Sequence, residues 1–441
     1  MKTVFPEHTY GPGPRKGCFW DETCTPVPGA SVAKDTDVDV AIVGAGFTGL
    51  SAALSLAESG AKVAVLESKT VGWGASGRNG GFCCLGGGLA GDAELDRRFG
   101  RKERLIFRAA EKATVEHTAT MLHRLGIDAD THSSGETMLA HRPRDAATLT
   151  ASLSRIRENY GVDGVYLRPE ELTQAGMSGP FYGALTVPIG FGLNPLKYLT
   201  GLHKACLSMG VQVFENSPVE AIQTQGKGHV LVSGQSRTTA SKVVLATNGY
   251  TNDDLSSFVT NRVMPAQSTV LVTRPLTQEE RLRQGWTTDQ MCYDSRTLLH
   301  YFRLMPDQRF LFGMRGGLLG GIAGEARARK RLLQHFRRMF PEWRHVEITN
   351  SWSGLVGLAR SKVPFVGRCS EESNIYASLC YHGNGVAMAG YAGRLVSDLI
   401  TGDKSRIYPK AMQHPMRPFP LGSLRRLLMP PLYAGLKLRD L

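Results

Sequence analysis

The sequence predicts an α/β fold in which a domain with a parallel sheet is joined to a second, α+β domain built on a mainly antiparallel sheet. Residues 39–67 predict the first domain, because an apolar strand, a glycine turn, an alanine- and leucine-rich helix and a second strand follow one another without interruption. Residues 263–273 and 298–312 predict the second domain, because apolar and polar residues alternate there as they do in antiparallel strands.

The first of these segments carries a Rossmann-like dinucleotide-binding motif. The sequence GAGFTG, residues 44–49, has the G-x-G-x-x-G pattern and follows the apolar strand 40–43 directly. Gly44 permits the tight turn, Gly46 lets the backbone approach a pyrophosphate, and Gly49 lets the helix lie close to the strand. Phosphates then bind to N–H groups at a helix N-terminus. The predicted contacts of this turn are Gly44, Gly46, Phe47, Thr48 and Gly49.

A carboxylate at the end of the second strand supports the motif. Glu67 follows the strand 62–66, where an acidic side chain accepts hydrogen bonds from a ribose diol and disfavours the 2′-phosphate of NADP. The alternative is that the glycines only form a surface turn. Residues 40–57 are uncharged and reach transmembrane length, but three glycines, Ser51 and Ser55 favour a buried strand and a core helix.

Composition limits the class of protein. The formal charge of +13 is concentrated in residues 313–338 and 416–441, where aromatic residues do not alternate with basic ones as in a base-stacking surface. Solvated helix faces therefore explain the charge, and no nucleic-acid partner is predicted. Eight cysteines lack zinc-like spacing, which predicts free thiols and no metal site. The first twenty residues lack the apolar core of a signal peptide, which predicts a cytoplasmic protein.

Five ordered motifs resemble the D-amino-acid oxidase type of FAD-dependent oxidoreductases. They are the glycine turn with Glu67, VGWGASGRNGG at 71–81, ATNGY at 246–250, YFRLMPD at 301–307 and YHGNGVAMAGYAGR at 381–394. Within that family, residues 37–403 look like γ-glutamylputrescine, sarcosine, glycine and pipecolate oxidases. Covalent sarcosine oxidases have a cysteine upstream of the last motif, whereas residues 352–364 contain none, so the resemblance implies non-covalent FAD.

The resemblance implies further contacts with FAD. Residues 76–81 would form a flexible polar loop along the pyrophosphate and the isoalloxazine edge, although Arg78 has the alternative of a surface cation. A helix over 386–400 would point its positive end at the flavin, with ordinary core packing as the alternative. The implied contacts are Ser76, Gly77, Arg78, Asn79, Gly80, Gly81, Val219, Thr247, Asn248, Gly383, Asn384, Gly385 and Val386.

The implied reaction is oxidation of a secondary amine or amino acid by hydride transfer to flavin N5, followed by hydrolysis of the imine. The candidate catalytic residues are Tyr301, Arg315, Trp352 and His382, with Tyr250, His300 and Arg303 as further pocket candidates. Arg315 is a carboxylate clamp or, alternatively, part of a structural ion pair. Oxygen and a quinone both stay open as electron acceptors. An RNA-modifying flavoprotein and a non-catalytic flavin-binding subunit are the alternative functions.

The predicted domains are discontinuous. An arm (1–35) precedes a FAD-binding domain formed by 36–100, 190–260 and 345–410, and the substrate domain consists of 101–189 and 261–344. Helices are predicted over 101–126, 144–159 and 195–209. In the basic tail, 411–441, Pro430 and Pro431 are expected to interrupt any helix, so docking against the protein's own surface is favoured over membrane association.

Overall fold

The computed structural model describes residues 3–317, 320–371 and 373–440. In chain order, the strands are β1 Thr36–Val43, β2 Val63–Leu66, β3 Phe82–Cys83, β4 Glu136–Leu139, β5 Val165–Leu167, β6 Ala184–Val187, β7 Phe191–Gly192, β8 Gln212–Phe214, β9 Ala221–Gln225, β10 Gly228–Ser233, β11 Ser236–Leu245, β12 Met264–Thr273, β13 Met291–Asp294, β14 His300–Leu304, β15 Phe310–Gly317, β16 Ile348–Leu358, β17 Phe365–Arg368 and β18 Ile375–Leu379. The predicted arm, basic segment and tail extend to residues 1–2, 318–319 and 441, which lie outside the described residues.

The α-helices lie between these strands and after them. They are α1 Phe47–Glu58, α2 Asp92–Phe99, α3 Arg101–Arg124, α4 Pro143–Ala151, α5 Leu153–Tyr160, α6 Pro169–Leu172, α7 Pro195–Ser208, α8 Gln278–Gln284, α9 Ile322–Met339, α10 Gly385–Thr401, α11 Lys410–Gln413 and α12 Met429–Arg439. No helix in the described part of the chain is long and apolar enough to cross a bilayer.

The first sheet is parallel at its centre, as predicted. Its strand order is β17-β18-β11-β1-β2-β8, and β18, β11, β1, β2 and β8 run parallel. β1 is central, with Val43 opposite both Leu66 and Leu245. Both faces of β1 are covered, which explains its uninterrupted apolar run.

Helices α1 and α10 cover this sheet at very short range. A Cβ atom on Gly49 would lie 1.9 Å from the carbonyl oxygen of Gly44, and one on Gly393 would lie 2.3 Å from that of Thr48. Phe47 points into the core, where its ring stacks on Tyr198 of α7 at 4.9 Å between centroids. The glycines therefore let the turn and both helices pack together.

The second sheet is mainly antiparallel, as predicted. Its order is β16-β12-β15-β14-β13-β4-β6-β5, and among these pairs only β4 and β13 run parallel within the described residues. One face carries Phe302, Phe310 and Phe312, which pack with Phe336 of α9. Tyr301 belongs to the opposite face, because successive side chains of a strand alternate.

Three predicted boundaries differ from the structure. Residues 144–159 form two helices, because the chain turns at Ser152. β16 lies in the predicted FAD-binding segment 345–410, yet it pairs with β12 along the edge of the second sheet. α3 lies in the predicted substrate segment, yet Phe107 and Val115 share the core of α1 and α10. Pairing and packing over long sequence distances set these boundaries, and local pattern did not reveal them.

The tail docks on the protein's own surface. Met429 and Tyr433 of α12 pack against Met264 and Ala266 of β12. The prediction that Pro430 and Pro431 interrupt a helix is wrong, because both prolines lie in the first turn of α12, where an N–H group has no helical partner to lose.

A buried ion pair holds the tail. Arg425 is buried and forms two hydrogen bonds to the Asp253 carboxylate, at 2.7 and 2.8 Å, and another to the carbonyl oxygen of Val263 at 3.0 Å. Loss of one member of a buried pair leaves the other charge uncompensated.

We predict that Arg425→Ala lowers the free energy of unfolding by about 3–5 kcal/mol, because Asp253 would keep its burial without its cation. Urea denaturation measures this change, and limited proteolysis reports release of the tail. The exposed Arg417→Ala variant is the control and should change stability by less than about 0.5 kcal/mol. Equal stability of both variants would contradict the role of this ion pair.

Candidate functional site

The glycine turn lies where β1 ends and α1 begins. Gly44 has φ +104°, which favours glycine, and its Cβ would lie 3.1 Å from the carbonyl oxygen of Ala246. α1 has Gly46 as its N-cap and no side-chain cap. The Glu67 carboxylate accepts hydrogen bonds from the backbone N–H groups of Ala45 at 2.9 Å and Lys69 at 3.0 Å. Oε1 also accepts a hydrogen bond from the Ser68 hydroxyl at 3.2 Å, so Oε2 is the oxygen that keeps a further lone pair for a ribose hydroxyl.

Desolvation affects the pKa of the Glu67 carboxyl. Burial raises the pKa of this carboxyl, although the hydrogen bonds from Ala45 and Lys69 oppose the shift. A ribose hydroxyl donor would add to the same stabilisation of the charged form. The turn and its carboxylate thus form one polar cradle at the carboxyl edge of the parallel sheet.

The loop at residues 76–81 is fixed against α1, in contrast to the predicted flexible loop. The Ser76 hydroxyl accepts a hydrogen bond from the N–H of Phe47 at 3.0 Å. The Asn79 side chain accepts one from the N–H of Gly81 at 2.8 Å and donates one to the carbonyl of Ser76 at 2.9 Å. A Cβ on Gly77 would lie 2.0 Å from the carbonyl oxygen of Gly72. The side chain of Asn79 therefore holds the loop together.

Arg78 is a buried part of this loop, which excludes the surface-cation alternative. Its side chain is 2% exposed, donates hydrogen bonds to the carbonyls of Trp73 at 2.9 Å and Ser353 at 3.1 Å, and lies 4.4 Å from the centre of the Trp73 ring. Desolvation lowers the pKa of Arg78. The guanidinium orients the loop beside the cavity described below.

The prediction of Trp352 as a catalytic residue is corrected by its position. Its indole N–H donates to the carbonyl of Arg78 at 2.7 Å, and its ring packs edge-on against Trp20. The side chain is fully buried and packs with Val270 and Val272. The sequence around Trp352 did not indicate which face of its strand the side chain would occupy.

The adenine-side candidates are packed residues. The Asn248 side-chain oxygen accepts a hydrogen bond from the N–H of Cys380 at 2.9 Å, and the hydroxyls of Thr247 and Thr251 lie 2.7 Å apart. Val219 is buried in the core beneath the first sheet. Thr247 follows the end of β11 beside the glycine turn, and its carbonyl accepts a hydrogen bond from the N–H of Tyr250 at 3.0 Å.

The last motif brings the N-terminus of α10 to a cavity. Asn384 is the N-cap, but its side chain donates to the carbonyl of Leu85 at 2.8 Å and does not cap the helix. The first turn of α10, starting at Gly385 and Val386, therefore keeps its positive end available to an anion. α10 also packs in the core, as the packing alternative predicts.

The candidate catalytic role of His382 is not supported. Its Nε2 accepts a hydrogen bond from the N–H of Ala359 at 3.1 Å, and its Nδ1 donates to the carbonyl of Gly87 at 3.2 Å. Burial lowers the pKa of His382 to about 4. The ring is thus neutral near pH 7 and has both nitrogens engaged with the backbone, as a packed histidine does.

The cavity has a volume of about 560 Å³, which is typical of a small-molecule site. It lies between the 76–81 loop, the start of α10 and the open face of the second sheet. The residues with polar or aromatic side chains in its wall include Arg78, Asn79, Glu111, Glu136, Tyr160, Ser268, Tyr293, Tyr301, Arg315, His382 and Asn384. The structure therefore joins Tyr301 and Arg315 with both motifs expected at the flavin.

Arg315 is the unpaired cation of this cavity. Among the described residues, no carboxylate lies within 4 Å of its guanidinium and its side chain makes no hydrogen bond, so the structural ion-pair alternative is not observed. A Cβ on Gly383 would lie 2.4 Å from its Nη2 atom. Desolvation lowers the pKa of Arg315. Tyr301 lies beside it and shares a hydrogen bond of 3.0 Å with Ser268.

Two carboxylates in the cavity wall were missed by sequence reasoning. Glu111 is paired with Arg108, at 2.8 and 2.9 Å, and accepts a hydrogen bond from Tyr160 at 2.9 Å. Glu136 accepts hydrogen bonds from the Tyr293 hydroxyl and the Leu85 N–H, each at 3.2 Å. Burial raises the pKa of Glu136 to about 7. No local sequence motif marks Glu111 or Glu136.

Two further pocket candidates lie elsewhere. His300 is buried between Asp294 at 2.6 Å and His335 at 2.8 Å. Arg303 donates to the carbonyl of Leu193 and to His132, each at 2.8 Å, and burial lowers its pKa to about 9. Tyr250 supports the loop from below, because its hydroxyl accepts a hydrogen bond from Leu355 at 3.2 Å and its ring lies against Trp73.

The arrangement fits a flavin dinucleotide. A glycine turn and a ribose carboxylate lie at one end, and an uncapped helix N-terminus faces a cavity of small-molecule size at the other. The described residues contain no group of side chains suited to a metal ion, and all eight cysteines are free. Cys83 and Cys84 are buried, and desolvation raises the pKa of each thiol.

Known proteins support the same conclusion. The family model for FAD dependent oxidoreductases matches residues 39–399. The chain is 30% identical over 414 residues to the probable oxidoreductase OrdL of Haemophilus influenzae, covering 91% of this chain and 89% of the relative. It is 31% identical over 392 residues to the gamma-glutamylputrescine oxidoreductase of Escherichia coli, covering 88% and 89%.

A solved structure shows the same fold. Glycine oxidase from Geobacillus kaustophilus superposes with a TM-score of 0.69 at 21% identity, covering 86% of this chain and 98% of that one. The resemblance inferred from the five motifs is thereby confirmed. Since the family model spans most of the chain and the site fits its cofactor, the protein belongs to the FAD dependent oxidoreductase family and uses FAD.

Proposed function

We propose that this protein oxidises a carboxylated amine or amino acid, preferably a secondary amine, to an imine that water then hydrolyses. The observation that carries the proposal is the unpaired guanidinium of Arg315 in the cavity wall beside Gly383. Arg315 is half-buried and its guanidinium is desolvated, so the lack of an opposite charge is unfavourable and a substrate carboxylate would supply that charge. Relatives named as amine and amino-acid oxidoreductases support this reaction class.

Held by the glycine turn and the Glu67 carboxylate, FAD would supply the oxidant, a hydride acceptor for the carbon next to the amine nitrogen. Arg315 would bind the carboxylate through two parallel N–H donors and so orient the substrate. Tyr301 and Tyr293 provide an aromatic wall that limits water. The positive end of α10 would stabilise the negative charge of the reduced cofactor.

This reaction requires a neutral amine and does not require a strong base. His382 does not supply one, because both of its nitrogens bind backbone groups. The basic side chains of α9, including Arg327, Lys330 and Arg337, are exposed, whereas the core-facing side of α9 packs on the sheet face opposite Tyr301. A phosphate bound to them would lie away from the cavity, so no observation favours the RNA-modifying alternative.

The central test is reduction of the bound flavin without oxygen. We expect at least one carboxylated amine from a panel of secondary amines and amino acids to bleach the yellow colour, because the substrate is the hydride donor. Absorbance near the flavin maximum measures the effect. Failure of the whole panel would remove amine oxidation as the function.

Arg315→Ala tests the carboxylate clamp. We expect kcat/KM for the acid substrate to fall about 10- to 100-fold, since hydrogen bonds to charged groups contribute about 1.5–3 kcal/mol. The uncharged amide of the same substrate is the matched control and should lose much less. Equal losses on acid and amide would place Arg315 outside the binding site.

Glu67→Ala tests the cofactor cradle. We expect weaker FAD binding, by about 1.5–3 kcal/mol, because the ribose hydroxyls lose a charged acceptor. Flavin occupancy after dialysis measures the loss of binding. Glu67→Gln keeps one acceptor oxygen, so its occupancy should lie between that of the unmodified protein and that of Glu67→Ala. Full occupancy in Glu67→Ala would show that the ribose does not contact this carboxylate.

The absence of cysteine from residues 352–364 predicts a dissociable flavin. We expect acid precipitation to release the yellow colour into the supernatant, where its absorbance quantifies it. Colour that stays with the precipitated protein would instead indicate a covalent bond.

A further inference from the structure

We propose that Glu136 forms a second charged subsite of the cavity, which binds a protonated nitrogen of the substrate at a distance from the carboxylate held by Arg315. This inference rests on the proposed function. The nitrogen that is oxidised must be neutral, whereas the one at Glu136 is charged, so the two are different atoms. The substrate class is therefore a carboxylated diamine, with one nitrogen for oxidation and one for recognition.

The two charged side chains lie on the same face of the second sheet. Arg315 belongs to β15 and Glu136 to β4, and the strands β14 and β13 separate them. Tyr301 of β14 lies opposite Tyr293 of β13, and both rings line the cavity between the two charges. Three strand spacings separate the two strands by about 14 Å across the sheet, and the register adds four residues along β15, because Glu136 is in line with Leu311. An extended substrate with charges at both ends matches this arrangement.

Glu136 lacks a cation in the described structure. Glu136 is 6% exposed. Among the described residues, no lysine, arginine or histidine nitrogen lies within 4 Å of its carboxylate. Its hydrogen-bond donors are the Tyr293 hydroxyl and the Leu85 N–H. Glu111 is different, because Arg108 already neutralises it. A buried carboxylate without a cation, such as Glu136, favours a ligand that brings a positive charge.

The titratable groups that face Glu136 leave it as the group that changes charge near neutral pH. They are Glu111, Tyr160, Tyr293, Cys83 and Cys84. Burial raises the pKa values of both phenols and both thiols, which keeps them uncharged. Burial also raises the pKa of Glu111, but the paired Arg108 and the hydrogen bond from Tyr160 oppose that shift. The pKa of Glu136, about 7, then sets the pH above which the subsite attracts a cation.

The test compares two series of ligands that the flavin cannot oxidise. One consists of ω-(trimethylammonio)alkanoates and the other of alkanoates with a tert-butyl group in place of the trimethylammonium group. Members of equal chain length have the same shape and the same carboxylate, and differ by one positive charge. Binding to the oxidised holoenzyme is measured from the shift of the flavin spectrum and by calorimetry, without turnover.

At pH 8.5 we expect the zwitterionic trimethylammonio member of at least one chain length to bind about tenfold more tightly than its anionic tert-butyl partner, which equals about 1.4 kcal/mol. Glu136→Gln should reduce this ratio to about one. Tyr293→Phe keeps the carboxylate and should keep the preference. In the unmodified protein the ratio should fall as the pH drops below 7, a result that needs no variant.

Different failures have different meanings. Equal affinities for both series at every chain length, or an unchanged ratio in Glu136→Gln, would overturn the Glu136 subsite while leaving amine oxidation intact. If neither series binds, the carboxylate clamp fails together with this inference. Flavin reduction by monoamines alone, with carboxylated diamines inactive, would also overturn it.

Discussion

The site depends on one constraint: parallel strands that end at the same edge of a sheet deliver the helices that follow them to the same place. β1 and β18 run parallel through β11, so α1 and α10 begin at that common edge. Gly49 and Gly393 let these helices approach within distances that a side chain would prevent. Two helix N-termini with positive ends therefore lie at one edge, where both would face an anionic cofactor.

The loop at residues 76–81 converts this edge into a closed site. Ser76 binds the start of α1, and Arg78 is anchored on Trp73 and on Ser353 of the second sheet. Trp352 fixes the same loop from behind through its indole N–H. The loop thus couples the parallel sheet to the antiparallel one, and it forms the part of the cavity wall between them.

Desolvation determines the chemistry of the cavity. Burial shifts the pKa values of Arg315, Glu136 and His382 in the direction of their neutral forms. His382 meets this condition by staying uncharged. Among the described residues, neither Arg315 nor Glu136 has an oppositely charged group within 4 Å, so a ligand with both charges would remove an unfavourable feature at each end of the cavity. Pairing of these two charges would contribute to the binding energy of such a ligand.

The sequence by itself determined the features that depend on local order. The glycine turn, Glu67, the helix starting at Asn194-Pro195 and the alternating strands require only neighbouring residues, and the structure has them at those positions. Tertiary structure alone decided which side chains share a cavity. Trp352 and His382 were expected at the substrate, but Trp352 packs on the loop and His382 forms hydrogen bonds with the backbone. Glu136 was missed because the lack of a cation beside it is visible only in three dimensions. The physical reason is that burial and charge pairing depend on residues far apart in the chain, and a sequence pattern contains neither.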